Sequence, residues 1–421
     1  MNERSVSVNG ISIYSLTNPN LRSFCLSLYV RAGSIFEDLS NNGISHLFEH
    51  VVFRNIKNKY ENFYELLAMH GLCFQGSTYK KFVSFTIDGP QHEFDFAIEI
   101  LCGLFDEIKL TSHDFNNEKG RIKAEIREKD RRSSLDFYFD SIVWKNSEVE
   151  KIVLGYCKTV DRVSVKKINE FRQKVLSAGN CFIYATGNIS DKNLDALNKK
   201  ISELDISQSN PGFTNTVTVN NDFFHREKKI WIKNNYWHYI QIGFDVDCSK
   251  YPGGVYDLLY ALLFNGDKAL VYNYLSEDNP IIYSYDSTFE QYDNVGNINF
   301  SFEVDRNKIE DVFKTVVELL NAAKDGRFNF EANLNYEMFN WELDLDNPDN
   351  LNWNMAYYNH ILKTQPIDYS DEFYGRFRVT KEQIIDAAKY IFRRCNMTVA
   401  VKGDRKKINA EAIEKILESL D

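Results

Sequence analysis

Two histidines and a glutamate stand close together near the start of the chain, in the stretch GISHLFEHVVFRN at residues 43–55. His46 and His50 are four residues apart, so on an α-helix their side chains lie on one face, one turn apart. Two imidazoles and one carboxylate suit a zinc ion and leave a fourth coordination position for water. Glu49 lies beside the same face, where its carboxylate can accept a proton from that water and pass it to a leaving amine. The order H-x-x-E-H is the inverse of the commoner H-E-x-x-H and predicts a zinc hydrolase centre.

A third protein ligand is expected from NNEKGRIKAEIREKD, residues 116–130, a charged stretch with Ile122 and Ile126 on its apolar side. Glu118 and Glu125 are seven residues apart, which places both on one face of a helix, two turns apart. We expect Glu125 to complete the metal site and Glu118 to support it by contact with a ligand. Taken alone, Glu118 would be a solvated charge, and its spacing from Glu125 is what indicates a role.

The helices and strands that must hold these side chains belong to a unit that occurs twice. Residues 164–188 align without a gap with residues 380–404. Each segment begins with a hydroxyl residue suited to cap a helix and continues with apolar residues at helical spacing. After an asparagine, each ends in an apolar run of strand type and a glycine. The segments 24–33 and 239–248 begin the two halves, and both predict strands from their alternating apolar residues.

This order of elements predicts an α+β fold with two homologous domains, each a mostly antiparallel sheet with helices packed on one face. The polar, turn-rich stretch NPGFTNTVTVNNDF, residues 210–223, marks the boundary. We therefore expect a zinc-carrying domain at 1–211, a linker at 212–223 and a homologous domain without zinc at 224–421.

The duplication supplies a comparison within the chain. Residues 255–266 occupy, in the second half, the place of GISHLFEHVVFRN. With Phe53 set over Phe264, the His/Glu/His set faces Asp257, Tyr260 and Ala261. Both stretches keep the apolar pattern of a packed helix, but only the first carries the set, so packing alone does not explain it. The other histidines lack such a pattern, and we expect them on the surface or in satisfied core positions.

The composition limits the class of protein. A chain of 421 residues indicates at least two domains. The formal net charge of −10 argues against a general nucleic-acid binder, which normally presents a basic face. The seven cysteines stand singly, without a C-x-x-C pair, as expected of free thiols in a reducing compartment. The polar N-terminus and the lack of a long apolar run predict no signal peptide and no membrane span, so we expect a cytoplasmic protein.

Taken together, the motifs resemble the pitrilysin/insulinase family of zinc metallopeptidases, and the length is similar to that of the half-length subunits of mitochondrial processing peptidase. The resemblance includes YVRAGSIFED at 29–38, G-x-x-H-x-x-E-H-x-x-F from Gly43 to Phe53, and KGRIKAEI around Glu125. It implies two similar α+β domains per half-length chain and a clam-like chamber made from two such halves. The family's roles fall on these positions as zinc ligands His46, His50 and Glu125, general base Glu49 and supporting glutamate Glu118.

The family binds its peptide as an added strand at a sheet edge near the zinc, and the matching segment is FQGSTYKKFVSFTI, residues 74–87. Backbone pairing of this kind gives affinity without requiring a particular sequence, and a glycine lets another chain approach closely. The resemblance places the substrate-binding edge positions at Gln75, Gly76, Ser77 and Thr78. A turn into an ordinary strand remains the alternative for this segment.

The second half departs from the family's pattern at one position. Relatives carry there a glycine-rich loop, an arginine and, seven residues later, a tyrosine, and the last two point at the substrate carbonyl beside the partner half's zinc. In residues 262–287, Tyr283 falls at the tyrosine position, but Ser276 stands at the arginine position, and the loop is reduced to Asn265 and Gly266. A serine supplies no positive charge for a developing oxyanion. We therefore expect a heterodimer in which this chain contributes the zinc and a related chain contributes the arginine and tyrosine, rather than a homodimer.

The predicted function is a zinc-dependent endopeptidase that acts on small or unfolded peptides. The resemblance suggests removal of a leader or precursor segment from a ribosomally made peptide. One alternative is a non-catalytic structural or substrate-holding subunit, whose usual mark is loss of the zinc set. Another is a zinc hydrolase with a non-peptide substrate. The complete set of His46, Glu49, His50 and Glu125 favours the peptidase.

Overall fold

The computed structural model describes residues 3–132, 134–209, 211–213, 217, 224, 229–363, 367 and 378–420. The chain divides into two compact units, and neither is a single stretch of sequence. The first unit comprises Met1–Arg132, Glu148–Asn215 and Leu343–Ile361. The second unit comprises Ser133–Ser147, Thr216–Glu342 and Leu362–Asp421.

The regular elements are numbered in chain order. The strands are β1 Arg4–Val8, β2 Ile11–Thr17, β3 Ser23–Val30, β4 Cys73–Thr78, β5 Val83–Pro90, β6 Cys181–Gly187, β7 Ile230–Asn234, β8 Tyr239–Asp247, β9 Asp286–Tyr292, β10 Val295–Glu303 and β11 Met397–Gly403. The α-helices are α1 Ile44–Lys57, α2 Phe63–His70, α3 Phe94–Gly103, α4 Ser112–Arg132, α5 Ser134–Val143, α6 Cys157–Asp161, α7 Val165–Val175, α8 Asp191–Ser202, α9 Gly253–Phe264, α10 Leu270–Tyr272, α11 Ile309–Lys324, α12 Phe330–Asp344, α13 Pro348–Met355, α14 Lys381–Ile391 and α15 Ala410–Leu417.

Each unit is built on one sheet. The first unit has six strands in the order β1-β2-β6-β3-β5-β4, and the second has five in the order β7-β11-β8-β10-β9. The pairings are antiparallel except for β2 with β6 and β7 with β11, which are parallel. The fold is therefore α+β with two mostly antiparallel sheets, as the sequence predicts.

Helices cover the apolar face of each sheet and form two separate cores. In β3, alternate side chains point to opposite faces, and Phe24 and Leu26 join the core that the apolar side of α1 fills with Phe48 and Val51. The second unit has an equivalent core between its sheet and the helices α9, α11 and α14. Helix α1 packs against β4 and β5 at one edge of its sheet, and its apolar side faces the core.

The predicted repeat is present in full. The pairs α7–β6 and α14–β11 have equal lengths and equal spacing, and Ser164 and Thr380 cap their helices by accepting a hydrogen bond from the third residue of each helix. Asn180 donates to the carbonyls of Arg31 and Val175, five residues before it. Asn396 makes the matching pair of bonds, to Asp245 and to Ile391 five residues before it. One local solution for joining a helix to the central strand is therefore used twice.

Each unit also includes a helix from the other half of the sequence. Helix α13 packs on the first sheet, where Asn352 accepts a hydrogen bond from the hydroxyl of Tyr29 at 2.9 Å and donates to the carbonyl of Tyr184 at 2.9 Å. Helix α5 packs on the second sheet, where its Phe139 is buried against β8. The contact is so close that a Cβ atom on Gly243 would lie 2.6 Å from the Phe139 ring. Both sheets thus have cover on the face opposite their main core.

Of the predicted linker 212–223, only Gly212, Phe213 and Val217 belong to the described residues. The domain limits 1–211 and 224–421 stay a prediction. None of the helices that the structure describes combines the length and the apolar character needed to cross a membrane.

Candidate metal centre

His46 and His50 lie on α1, as expected from their spacing, with ring centroids 4.6 Å apart. Glu125 on α4 faces both rings, and its Oε2 lies 3.5 Å from Nε2 of His46 and 3.9 Å from Nε2 of His50. One ligand atom from each of these three side chains lies within 4.8 Å of the other two. Among the described residues, no other group of three or more such side chains does this.

The donor set is the kind that zinc accepts in hydrolases. Two imidazole nitrogens and one carboxylate oxygen leave one coordination position for water or substrate. His46 is 6% exposed, while His50 and Glu125 are partly exposed, so solvent can reach the set through His50 and Glu125. The three residues that the sequence predicts as ligands therefore come together, and their chemistry fits zinc.

Glu118 lies one layer behind the ligands and is 2% exposed. Its Oε2 is 3.6 Å from Nδ1 of His50, the ring nitrogen on the other side from Glu125. A carboxylate at this nitrogen favours the tautomer that leaves Nε2 free to bind metal. Glu118 therefore lies beside the ligand His50, and its supporting role stays a prediction.

Two arginines that the sequence interpretation missed lie near Glu118. Arg121 lies 3.4 Å away through Nη1, and Arg54 lies 3.9 Å away through Nε. Arg54 also makes a 2.6 Å ion pair with Asp114 at the start of α4. A signal for Arg54 is present in the sequence, because it follows His50 by four residues and so shares its helix face.

Glu49 is half-buried between α1 and the edge of the sheet. The hydroxyl of Thr78 on β4 donates a 2.7 Å hydrogen bond to its Oε2. Burial raises the pKa of Glu49 above its ordinary value, while the bond from Thr78 and the proximity of His50 act in the opposite direction. A carboxylate whose pKa is raised toward neutrality is a better acceptor of a proton from water.

Gly76 is required by the position of Glu49. A Cβ atom at Gly76 would lie 2.9 Å from both Cγ and Oε1 of Glu49, closer than real contacts allow. The glycine that the resemblance assigns to substrate approach therefore also makes room for the carboxylate on the neighbouring helix.

The four predicted substrate-binding residues, Gln75, Gly76, Ser77 and Thr78, all lie on β4. This strand is the last in its sheet and pairs only with β5, from Cys73 opposite Asp88 to Thr78 opposite Val83. Its other side presents backbone donors and acceptors to which no described strand is paired. The segment 74–87 thus forms two antiparallel strands joined by a turn, and the four edge residues lie on the first of them, whose last residue, Thr78, contacts Glu49.

Tyr283 and Ser276 belong to the second unit, whereas the metal ligands belong to the first. Ser276 sits in a single π-helical turn, Asn273–Glu277. Tyr283 follows it in the segment before β9, with 96% of its surface exposed, and lines a cavity of about 890 Å³ in that unit. The structure does not group Tyr283 with the metal ligands, and its predicted catalytic role stays a prediction.

Comparison with protein families gives two adjoining matches. Residues 13–155 match the family model described as Insulinase (Peptidase family M16). Residues 162–332 match the model described as Peptidase M16 inactive domain. His46, Glu49, His50 and Glu125 all fall within the first match.

Similar proteins include an uncharacterized zinc protease, YmxG, of Bacillus subtilis, 21% identical over 332 residues, which cover 77% of this chain and 79% of that protein. Another is the mitochondrial-processing peptidase subunit beta of Saccharomyces cerevisiae, 23% identical over 190 residues, which cover 44% of this chain and 41% of that one. Among solved structures, a protease from Helicobacter pylori superposes with a TM-score of 0.83 at 17% identity, covering 96% of this chain and 99% of the other. A peptidase M16 inactive domain from Pseudomonas fluorescens gives 0.80 at 14% identity, covering 96% and 98%.

Proposed function

Because this chain belongs to the insulinase family of peptidases, peptidase family M16, we propose that it is a zinc metalloendopeptidase of the H-x-x-E-H type that cleaves small or unfolded peptides. The observation that carries the proposal is the convergence of His46, His50 and Glu125 beside Glu49. Convergence of two imidazoles and a carboxylate around an open position is a requirement of zinc hydrolysis and not of helix packing.

Glu49 is the proposed general base. A zinc ion held by His46, His50 and Glu125 would supply a Lewis acid that polarises the peptide carbonyl and makes water more acidic. Thr78 engages Oε2 of Glu49, so Oε1 is the oxygen left to accept the proton and later return it to the leaving amine. Because the hydrogen bond fixes Oε2, Oε1 is also held in a defined position. Proton transfer requires such a position, since donor and acceptor must lie at hydrogen-bond distance.

The free edge of β4 is the proposed substrate platform. A peptide that adds a strand there gains backbone hydrogen bonds that do not depend on its sequence. Gln75 to Thr78 would pair with it, and Gly76 presents no side chain between the peptide and Oε1 of Glu49. Adding a strand straightens the peptide, so folded substrates are excluded and short or unfolded ones are preferred.

We extend the proposal to the assembly. The working enzyme is a heterodimer in which a related chain closes a chamber over this zinc site and supplies an arginine and a tyrosine to the reacting carbonyl. Ser276 carries this part of the proposal, because it gives no positive charge beside Tyr283, which is exposed and available. Removal of a leader or precursor segment from a ribosomally made peptide is the proposed task. A cytoplasmic location agrees with seven free cysteines.

The test is peptidase activity on unstructured peptides. The chain is purified and assayed in two forms: alone, and co-expressed with a homologue that carries the arginine but lacks H-x-x-E-H. The activity of each form is measured before treatment with a chelator, after it, and again after zinc is restored. Activity that needs both chains and zinc supports the whole proposal. Full activity from this chain alone refutes the heterodimer but not the peptidase. Bound zinc with no peptide cleavage in any combination, but with cleavage of small esters or amides, favours the alternative zinc hydrolase.

A non-catalytic subunit is the remaining alternative. It predicts a complex whose activity survives when Glu49 is replaced by glutamine in this chain, since another chain would then carry the reaction. The complete ligand set argues against it.

A further inference from the structure

Glu37 is a buried carboxylate that the proposed reaction does not use. It is 4% exposed and lies in the loop between β3 and α1, directly after a short 3-10 turn, Ser34–Phe36. Removing a carboxylate from water costs several kcal/mol unless hydrogen bonds replace the lost hydration. Its burial therefore needs compensation by hydrogen bonds, and the partners in these bonds show which part of the chain Glu37 holds in place.

All of the donors to Glu37 lie at the start of α1. Oε2 accepts from the backbone N–H of Gly43 at 2.7 Å and from the side-chain amide of Asn42 at 2.7 Å. Oε1 accepts from the backbone N–H of Ser45 at 2.8 Å. The first N–H groups of a helix have no partner within the helix, and here one carboxylate satisfies two of them. Its negative charge also lies at the positive end of the helix dipole.

Glu37 is itself held in place. The ammonium group of Lys151 donates to the carbonyls of Ile35 and Glu37 at 2.8 and 2.7 Å. On the other side, the hydroxyl of Ser45 accepts from the N–H of Gly33 at 2.9 Å. The loop and the first turn of α1 are thus joined at several points, and the position of that turn is determined by the loop.

The sister helix in the second unit lacks this arrangement. Helix α9 follows β8 after only five residues, 248–252, and none of them is acidic. Its N-cap, Pro252, makes no side-chain cap hydrogen bond. Instead Tyr256, within α9, donates to the carbonyl of Asp247 at 2.5 Å. A helix in this place can therefore be built without a capping carboxylate, so the fold alone does not require Glu37.

Of the two equivalent helices, only α1 has a capping carboxylate, and only α1 carries metal ligands. The capped turn includes one of these ligands, since His46 is the third residue of α1. We infer that Glu37 is a positioning residue for the metal centre: by fixing the first turn of α1, it holds the His46 imidazole at the distance from Glu125 that a shared zinc ion needs. The inference rests on the proposed zinc function. An uncapped first turn frays, and even a small displacement of His46 spoils a site whose ligand atoms must converge on one point.

The test measures zinc affinity of the full-length chain by competition with a chelator, which needs no peptidase assay. Glu37→Ala is expected to weaken zinc binding by about tenfold to a hundredfold, the usual effect of removing a residue that orients a metal ligand. Glu37→Gln keeps one carbonyl oxygen for one of the two N–H groups and is expected to fall between wild type and Glu37→Ala. The glutamine variant also serves if the alanine variant fails to fold.

Ser164→Ala is the matched control. It removes a helix cap in the same unit, where the hydroxyl of Ser164 accepts from the N–H of Lys167, but this cap is on α7 and touches no ligand. It is expected to lower the unfolding midpoint and leave zinc affinity unchanged. Unchanged affinity in Glu37→Ala, or an equal loss in Ser164→Ala, would overturn the inference while the wild-type site stands. A wild-type chain without affinity for zinc would overturn the proposed function itself, and the inference with it.

Discussion

The hydroxyl of Thr78 lies 2.7 Å from Oε2 of Glu49 and donates a hydrogen bond to it, which joins the edge strand β4 to the metal helix α1. The strand proposed to receive the peptide therefore also orients the proposed general base. In the proposed mechanism, the four residues Gln75 to Thr78 set both the position of the substrate and that of the base, so changes in this strand should affect the rate of reaction more than the stability of the fold.

Glu49→Gln is expected to keep zinc and lose turnover by about a hundredfold to ten-thousandfold, because only proton transfer is removed. His46→Ala and Glu125→Ala are expected to lose the zinc itself, because each removes a ligand. Metal analysis of the three purified variants, together with peptidase rates, checks this division of roles. Equal zinc loss in all three variants would contradict it.

Gly76→Ala is expected to lower activity by roughly tenfold to a hundredfold, because the new methyl group displaces the Glu49 carboxylate from its place beside Thr78. The measurement is kcat for peptide cleavage alongside thermal unfolding. Gly120→Ala on α4 is the control, because a Cβ there meets no atom within 4 Å. Alanine in a helix interior should leave activity intact and raise stability by up to about 1 kcal/mol. Equal activity in the two variants would refute the steric argument.

Glu414→Ala is expected to destabilise the second unit by about 3–5 kcal/mol. Arg394 is fully buried, and its guanidinium group donates to both carboxylate oxygens of Glu414 at 2.9 and 2.6 Å. Losing the carboxylate leaves a positive charge in the interior without its main counter-ion. Urea unfolding gives the free energy directly.

The control for Glu414 is Asp311→Ala, which breaks the exposed pair with Lys314. That change should cost less than about 1 kcal/mol, since solvent screens exposed ion pairs. If the two substitutions lower the free energy of unfolding by the same amount, the buried pair stabilises the protein no more than the exposed pair does.

The buried thiols should react slowly in the native protein. Burial raises the pKa of Cys181 and Cys248 to about 12, so at pH 8 almost none of either is in the reactive thiolate form. Alkylation followed by mass spectrometry should label the exposed Cys73 and the partly exposed Cys157 and Cys395 in the native protein, and label the buried pair only after unfolding. Fast labelling of Cys181 in native conditions would contradict the burial.

The same shift implies a loss of stability in alkaline solution. In the unfolded chain these thiols ionise near their ordinary pKa of about 8.5, whereas in the folded chain they stay protonated to higher pH. The stability they contribute is therefore fully present below about pH 8.5 and declines as pH rises towards the folded-state pKa of about 12. Unfolding midpoints measured across this range should fall with pH, and Cys181→Ser should reduce the slope.

The repeat and the shared helix face of each pair of metal-site residues follow from local patterns, and both could be predicted. The spacing of His46 and His50 fixes a shared helix face, and the seven-residue spacing of Glu118 and Glu125 does the same on α4. That the two faces meet was an inference from chemistry, and the structure brings them together. The helix, cap and strand signals in the repeat depend on residues that are neighbours in sequence. For this reason the elements predicted for both copies are the ones that the structure shows.

Other features depend on distant pairings and left no local signal. Glu37 reaches Ser45 through a loop of irregular conformation, and no periodicity connects the two. Likewise nothing in the sequence of α13 indicates that Asn352 will bond to Tyr29, more than three hundred residues earlier. Such contacts form only once the first unit is folded, so helix and strand patterns cannot show them.

Helix α13 has a consequence for how the chain is made. The first unit begins at its N-terminus but includes Leu343–Ile361, so most of the second unit must be translated before the first can be completed. At the usual pace of synthesis this delay is on the order of ten seconds. During that interval the sheet face with Tyr29 and Tyr184 lacks the cover that α13 gives it in the complete chain. Because the second unit in turn needs Leu362–Asp421, which includes its inner strand β11, the two units are completed within a short stretch of synthesis of each other.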